Sequence, residues 1–281
     1  MAVRQQSYAV VLLGASGKLG RMVQAVWRSG SLTLAPVVRS GPVQPGEIRW
    51  APGDSFPGLS RVAAVLALWG VTPGPGRNLK ANTDLARSAM DLGEALGAGA
   101  VIHCSSAAVY KPAQTAISES VQPDPQSAYG SEKWKMEQAI LAEARKDGPR
   151  QIILRIANVA GADSLFGNLR VNRKITLDRF GDGQGPVRSY VSPFDLVKAI
   201  EALVQDQSAS GVFNVAAPVP TAMEDIAKAC GAGVSWRPAP ETAFQLMWID
   251  TARLEKFVSL SRGGADAALL ADGARRTGIW P

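Results

Sequence analysis

The most constraining feature of this sequence is a rhythm. Through the first 160 residues, apolar runs of strand length alternate with stretches of helical periodicity. Such alternation marks repeated strand–helix–strand units, which place parallel strands side by side under helices. The strand candidates are Tyr8 to Leu13, Leu32 to Val38, Ile48 to Trp50, Ala63 to Leu68, Ala100 to Cys104 and Ile152 to Ile156. Between the first two, Leu19, Met22, Val23, Val26 and Trp27 recur at helical spacing, and the pattern stops at Gly30, whose missing Cβ suits a helix terminus. Leu85, Ala89, Leu92 and Leu96 mark another helix, and Ser127 to Lys146 a third. The expected fold class is α/β, a doubly wound parallel sheet.

After Ile156 the rhythm changes. Gly, Asn and Asp become frequent from Asn158 to Gly185, which reads as loops with short elements. Helix-like Ser192 to Val204 and strand-like Gly211 to Val215 then look like a return to the sheet. The expected division is therefore a first domain over 1–160, completed by a return segment at about 191–215. A small interleaved C-terminal lobe takes 161–190 and 216–281 and closes a cleft against it. With 281 residues, 46% of them hydrophobic, the chain has material for such a pair of cores.

No apolar stretch approaches the length of a membrane helix, and the start lacks the charged-then-apolar layout of a secretory signal, so the expectation is a cytoplasmic protein with no membrane partner. Two cysteines, Cys104 and Cys230, match no zinc, haem or disulfide spacing and read as buried thiols. Thirty Lys and Arg against 24 Asp and Glu give a formal charge of +6, which favours anionic partners. With no arginine-rich run or aromatic-interleaved basic stripe, phosphorylated small molecules are expected rather than nucleic acid.

Directly after the first strand comes Gly14-Ala15-Ser16-Gly17-Lys18-Leu19-Gly20, opening the first helix. One glycine permits a sharp turn, another lets backbone approach a pyrophosphate, and a third lets helix and strand pack closely; the helix N-terminus adds N–H donors and partial positive charge. Gly14, Ser16, Gly17, Lys18, Leu19 and Gly20 are thus candidate cofactor-binding residues. At the end of the second strand, a carboxylate would accept from a ribose 2′-hydroxyl, whereas a cation would welcome a 2′-phosphate. Arg39 followed by Ser40 stands there, so the balance favours NADP over NAD, the alternative being that Arg39 is a solvated surface charge.

Tyr129 and Lys133 sit four apart on the third helix, on one face. A phenol near its ordinary pKa is a poor base at neutral pH, and a nearby ammonium is expected to bring it down. The competing reading is an exposed helix face. Ser105-Ser106-Ala107-Ala108-Val109-Tyr110 follows the preceding strand, at the sheet edge where open α/β folds bind ligands, and a serine there can orient a substrate oxygen.

The ordered set of the glycine loop, Asn82 ahead of a helix, Cys104 to Tyr110, Tyr129 to Lys133, and Leu154 to Val159 resembles the NAD-dependent epimerase/dehydratase family, the extended branch of the short-chain dehydrogenases/reductases, across nearly the whole length. The resemblance implies a Rossmann-type sheet and a catalytic set of Ser106, Tyr129 and Lys133, with Lys133 also meeting the nicotinamide ribose. It implies Asn82 near the cofactor, although a helix cap is an equally economical reading. Ser106, Asn158 and Arg188 would meet the substrate, Arg188 either clamping phosphate or pairing with Asp182 or Asp195. A homodimer through the second and third helices is implied as well.

Departures subdivide the family. Ala107 and Ala108 stand where dehydratases carry an acidic pair, so dehydration is disfavoured, leaving oxidoreduction or epimerisation at a hydroxyl or carbonyl carbon of a sugar nucleotide or a smaller carbonyl substrate. Lys111, Trp69 with Gly70, and Ser192 with Pro193 also break the family pattern. A non-catalytic NADP(H)-binding sensor is the alternative. His103, the only histidine, reads as a hydrogen-bonded core residue, and no metal site is expected. Trp236, Trp248 and Trp280 read as the core of the small lobe.

Overall fold

The computed structural model describes residues 8–28, 32–56, 58–171 and 174–281. The first half runs β1 (Tyr8–Leu13), α1 (Lys18–Val26), β2 (Leu32–Val38), β3 (Ile48–Arg49), β4 (Val62–Ala67), α2 (Ala81–Ala95), β5 (Ala100–Ser106), α3 (Ala128–Glu143) and β6 (Arg150–Ile156). The second half runs β7 (Asn158–Val159), α4 (Ser164–Val171), β8 (Lys174–Arg179), β9 (Val187–Arg188), β10 (Tyr190–Val191), α5 (Pro193–Gln205), β11 (Gly211–Val215), β12 (Thr221–Ala222), α6 (Met223–Ala229), β13 (Gly233–Pro238), β14 (Leu246–Met247) and α7 (Ala267–Arg276).

Seven strands form one sheet in the order β11-β6-β5-β4-β1-β2-β3, every neighbouring pair parallel. The run Tyr8–Leu13 is apolar on both faces because both are covered. Val10 and Leu12 pack with Val23 and Val26 of α1 and Leu196 and Ile200 of α5, while Val11 and Leu13 pack with Leu85, Ala89 and Leu92 of α2. Chain order reverses between β1 and β4, so the ends of those strands open the crevice where such folds bind ligands. No helix among the described residues is long and apolar enough to cross a membrane.

The expected strands are found within two residues of their bounds, the largest changes being β5, which continues to Ser106, and β6, which begins at Arg150. The third helix is shorter than expected: Ser127 is its cap and the chain leaves it at Ala144. The expected stop of α1 at Gly30 lies outside the described residues; α1 itself ends at Val26, with the Trp27 indole donating to the Leu32 carbonyl at 3.1 Å. Residues 158–185 hold more order than loops with short elements, because β8 pairs in parallel over six residues with β13, a partner far along the chain. That pairing and the three-stranded β12-β9-β14 set bring 174–188 against 221–247.

A core of Leu165, Phe166, Leu177, Tyr190, Ile226, Leu270 and Trp280 sits under these strands, and Met22 of α1 reaches into it. Gly161, at φ +85, marks the crossing from sheet to this core. A Cβ there would stand 2.5 Å from the Met22 methyl and 3.0 Å from Ala274. Trp280 donates to the Phe166 carbonyl at 2.8 Å and Trp248 to that of Pro218 at 3.3 Å, while Trp236 carries the Arg179 guanidinium 4.8 Å from its ring centre. Cys104 and Cys230 are free thiols, half-buried rather than fully enclosed as expected.

Candidate active site

The glycine turn after β1 is shaped by close approaches. Gly14 adopts φ +86, and a Cβ on it would lie 2.7 Å from the Trp69 amide nitrogen, so only glycine lets the turn pass under the end of β4. A Cβ on Gly20 would collide with the Gly14 carbonyl, which holds α1 hard against the turn. Gly17 precedes α1 without any side-chain cap, and the first turn carries no acidic residue. Uncapped amides with their dipole facing solvent fit an anionic diphosphate. Ser16, Gly17 and Lys18 are exposed there, and Lys18 reaches the Ala162 carbonyl at 3.1 Å, tying the turn to the segment that enters the lobe.

Arg39 and Ser40 are exposed at the end of β2. The Arg39 guanidinium lies 5.6 Å from the centre of the Trp69 ring; Trp69 stacks on Trp50 at 5.9 Å, and Trp50 on Phe56 at 6.2 Å. A bulky Trp69 is accommodated after β4 because its ring turns into the apolar layer beneath α2. Gly70 then brings the chain to the next corner: a Cβ on it would be 3.0 Å from Asn82 Oδ1 and 3.4 Å from Lys133 Nζ. The Asn82 amide is fully engaged with backbone, accepting from Val71 N at 3.0 Å and donating to Val71 O at 3.0 Å and Leu79 O at 2.8 Å. Its side chain thus braces the loop before α2 alongside Lys133.

Ser127 caps α3 by accepting from Gly130 N at 3.1 Å. Gly130 lets the first turn of α3 press against the 3-10 turn at Ala107–Val109, since any Cβ would strike the Ala108 carbonyl. That contact sets Tyr129 beside Ser106, whose Oγ accepts from Ala108 N at 3.1 Å. Lys133 is 3% exposed, its Nζ 5.8 Å from the Tyr129 ring centre and donating to the Cys104 carbonyl at 2.7 Å.

The electrostatics differ from the expectation that the ammonium draws the phenol down. Burial pushes Tyr129 well above the usual tyrosine value, and hydrogen bonding with Ser106 pulls it only part of the way back. The physical reason is that Nζ faces the ring and spends a hydrogen on a carbonyl, so loss of hydration outweighs it. Burial likewise holds Lys133 below the usual lysine value, opposed by Cys104 where its thiol ionises and by Glu137. His103, in the same strand, is buried and bonded to Gln151 at 2.9 Å, and burial lowers it to about 4.

Beyond Ser106 opens a cavity of about 820 Å³, lined among others by Tyr110, Asn158, Asp163, Arg188 and Phe244. Arg188 is not paired with Asp182 or Asp195. Its guanidinium lies 4.4 Å from the Phe244 ring centre and donates to the carbonyls of Val187, Gln245 and Phe244 at 2.8, 2.5 and 2.9 Å. Asp182 instead accepts from Gln245, and Asp195 from Ser192. Burial lowers Arg188 to about 10, and three carbonyls leave its charge unneutralised at the cavity wall. The Asn158 backbone N–H donates to Ser189 O at 3.2 Å, and Asp163 accepts from Tyr190 Oη at 3.0 Å.

Three residues escaped the sequence reading. Gly130 was passed over because only the fold shows what a side chain there would meet, and the role of Gly70, noted only as a break in the family pattern, shows itself in the fold for the same reason. Glu137 and Arg155, a fully buried pair behind Lys133, left a trace: a charge inside the apolar run Ile152 to Ile156, and an acid one turn after the lysine. Among the described residues no group of three or more His, Cys, Asp or Glu is placed to hold a metal ion.

Comparison with known proteins agrees with this architecture. A search of curated proteins finds no match. Among solved structures, UDP-N-acetylglucosamine 4-epimerase from Bacillus cereus superposes with a TM-score of 0.76 at 17% identity, covering 96% of this chain and 100% of that one. The NAD-dependent NDP-hexosamine 5,6-dehydratase TunA of tunicamycin biosynthesis gives 0.73 at 22%, covering 98% and 97%, and MoeE5, solved with UDP-glucose and NAD, gives 0.73 at 20%, covering 96% and 99%. At these identities the likeness is one of fold. The sequence pattern of one family matches residues 62–216, more than half of the chain and the stretch that holds β4 to β11 with the Ser106–Tyr129–Lys133 corner, and the chain therefore belongs to the NAD dependent epimerase/dehydratase family.

Proposed function

We propose that this protein is an NAD(P)-dependent oxidoreductase or epimerase acting at a hydroxyl or carbonyl carbon of a sugar nucleotide or a smaller carbonyl substrate. The observation that carries the reading is the convergence of Tyr129 and Lys133 on Ser106 at the carboxyl end of the sheet, Ser106 itself lining an 820 Å³ cavity. Gly14, Ser16, Gly17, Lys18, Leu19 and Gly20 would hold the diphosphate of the cofactor, and Lys133 its nicotinamide ribose. Asn82, spent on Val71 and Leu79, would act by bracing the loop rather than by touching the cofactor. The nicotinamide supplies the hydride donor or acceptor.

In this reading Tyr129 exchanges a proton with the substrate oxygen, Ser106 orients that oxygen, and Lys133 stabilises the phenolate when it forms. A phenol raised by burial is a proton donor at neutral pH, which favours reduction of a carbonyl or the return half of an epimerisation. The structural neighbours solved with or named for UDP-sugars support a nucleotide-sugar substrate, with Asn158 and Arg188 on its phosphate side. Ala107 and Ala108 put no carboxylate beside Ser106, which disfavours dehydration. Arg39 supports NADP, with NAD the alternative, since an exposed guanidinium at the end of β2 can pair with a 2′-phosphate. We also place a homodimer contact on α2 and α3, and assign 161–190 and 216–281 to substrate binding.

The test is a screen of UDP-sugars and simple ketones with NADH and NADPH, followed by Tyr129→Phe. Removing the hydroxyl should cost about 10²- to 10⁴-fold in turnover while dinucleotide affinity, read by NAD(P)H fluorescence, stays close to wild type. Unchanged turnover would overturn the assignment, and tight cofactor binding with no turnover on any substrate would favour a sensor.

A further inference from the structure

One turn along α3 from Lys133, the carboxylate of Glu137 is completely buried. It accepts from Arg155 Nε at 3.1 and 3.0 Å and from Arg155 Nη2 at 2.7 Å, and also from the Ser105 hydroxyl. Arg155, itself 2% exposed, donates from Nη1 to Tyr110 Oη at 2.7 Å, and its guanidinium lies 4.8 Å from the Tyr110 ring centre. Tyr110 then donates to Asn214 Oδ1 at 2.9 Å, and Asn214 Nδ2 donates to the carbonyls of Ile117 and Asp250, each at 2.9 Å. Every polar atom in this line has a partner, and the line starts at a residue of the cavity wall and ends on the helix that carries Tyr129 and Lys133.

A buried ion pair is a poor way to gain stability, because desolvating two charges offsets most of their attraction. Its location next to a second buried cation is therefore informative. We propose that Glu137, clamped by Arg155 and through it by Tyr110 one turn along α3 from Lys133, is a positioning residue whose fixed carboxylate keeps that ammonium protonated, so that it acts on Tyr129 through the lysine. The inference rests on the Tyr129–Lys133 reading of the site.

The groups that face Lys133 leave Glu137 this role. From its own helix come Tyr129 and Glu137; from β5, the Cys104 thiol, which burial raises and so keeps neutral, and the His103 imidazole, which burial keeps neutral as well. Arg155, from β6, carries a positive charge paired with the Glu137 carboxylate, and near Gly70 the Asn82 amide is uncharged. Glu137 thus supplies the carboxylate that opposes the desolvation of Lys133 at neutral pH.

The experiment reads Lys133 directly. The free protein carrying ε-13C-lysine is titrated by NMR, the Lys133 signal being assigned by its loss in Lys133→Arg. In Glu137→Gln the Lys133 midpoint should fall by about one pH unit or more, whereas Glu137→Asp, which keeps the charge, should stay near wild type. Should Glu137→Gln fail to fold with Arg155 left unpaired, Glu137→Gln/Arg155→Met removes both charges and should still titrate below wild type. A Lys133 midpoint that does not move in the folded variant, with only the melting temperature lowered, reduces the pair to scaffolding and overturns the proposal. Turnover of Tyr129→Phe separates the two ideas: if that variant is inactive and the lysine titration is unmoved, only the present inference falls, and if it is fully active the catalytic reading falls whatever the titration shows.

Discussion

Two corners of the same sheet edge are built on opposite principles. The corner after β1 works through main chain: glycines at 14, 17 and 20 and the uncapped start of α1 present amides, with no buried charge at work. The corner between β5 and α3 works through side chains whose charges are taken out of water, with Lys133, Glu137 and Arg155 all nearly inaccessible and each held by named partners. The difference teaches where this protein is sensitive to protonation and where only to shape.

The largest expected effect lies in the second corner and depends on pH. His103 is the chain's only histidine, and its value in the fold, about 4, is below the ordinary 6.5. The unfolded chain therefore takes up a proton between those values while the folded one does not. Stability that is complete above pH 6.5 should fall as the pH approaches 4, by about 3 kcal/mol in all. Thermal unfolding measured from pH 4.5 to 7.5 should show this slope, and His103→Gln should flatten it; an equal slope in the variant would assign the acid sensitivity to carboxylates instead.

Next in size is Gly130→Ala. Forcing α3 off the Ala108 carbonyl should displace Tyr129 from Ser106 and cost about 10²-fold in turnover, with NAD(P)H affinity little changed. Loss of both together would mean the two corners are not separable. A smaller effect, about 30-fold in cofactor affinity at any pH, is expected for Gly14→Ala, from strain at φ +86 and the contact with Trp69. A pH-dependent loss there would break the contrast. Smallest, Arg39→Ala should weaken NADPH by about 10-fold and leave NADH unaltered; equal weakening of both would show that Arg39 does not read the 2′ position.

Much of the first corner was legible because its signals are local. The order of strand, Gly14 to Gly20 and amphipathic helix specifies a turn whose geometry depends on residues within about ten positions of one another. The Tyr129 and Lys133 pair was legible for the same reason, since helical spacing alone puts both on one face. The direction in which Tyr129 is shifted was not, because it depends on how much protein covers the phenol and on where Nζ points, and both are set by β5 and by the loop at Gly70. Arg188 shows the same limit. Its neighbours in sequence invited a pairing with Asp182 or Asp195, but the pairing of β9 with β14 delivered the carbonyls of residues 244 and 245, which join that of the adjacent residue 187 in their place.

What the residues determined by themselves, then, was the alternation that makes a parallel sheet, the glycine turn, and the identity of the groups able to move a proton. These follow from periodicity and local backbone freedom, which act over one or two turns of chain. Tertiary structure decided the partner of β8, the small core around Trp280 and Phe166, the cavity, and the buried line from Tyr110 to Glu137. Each of those joins segments tens of residues apart, and the energies of desolvation and burial that govern them exist only once the chain has closed over the groups concerned.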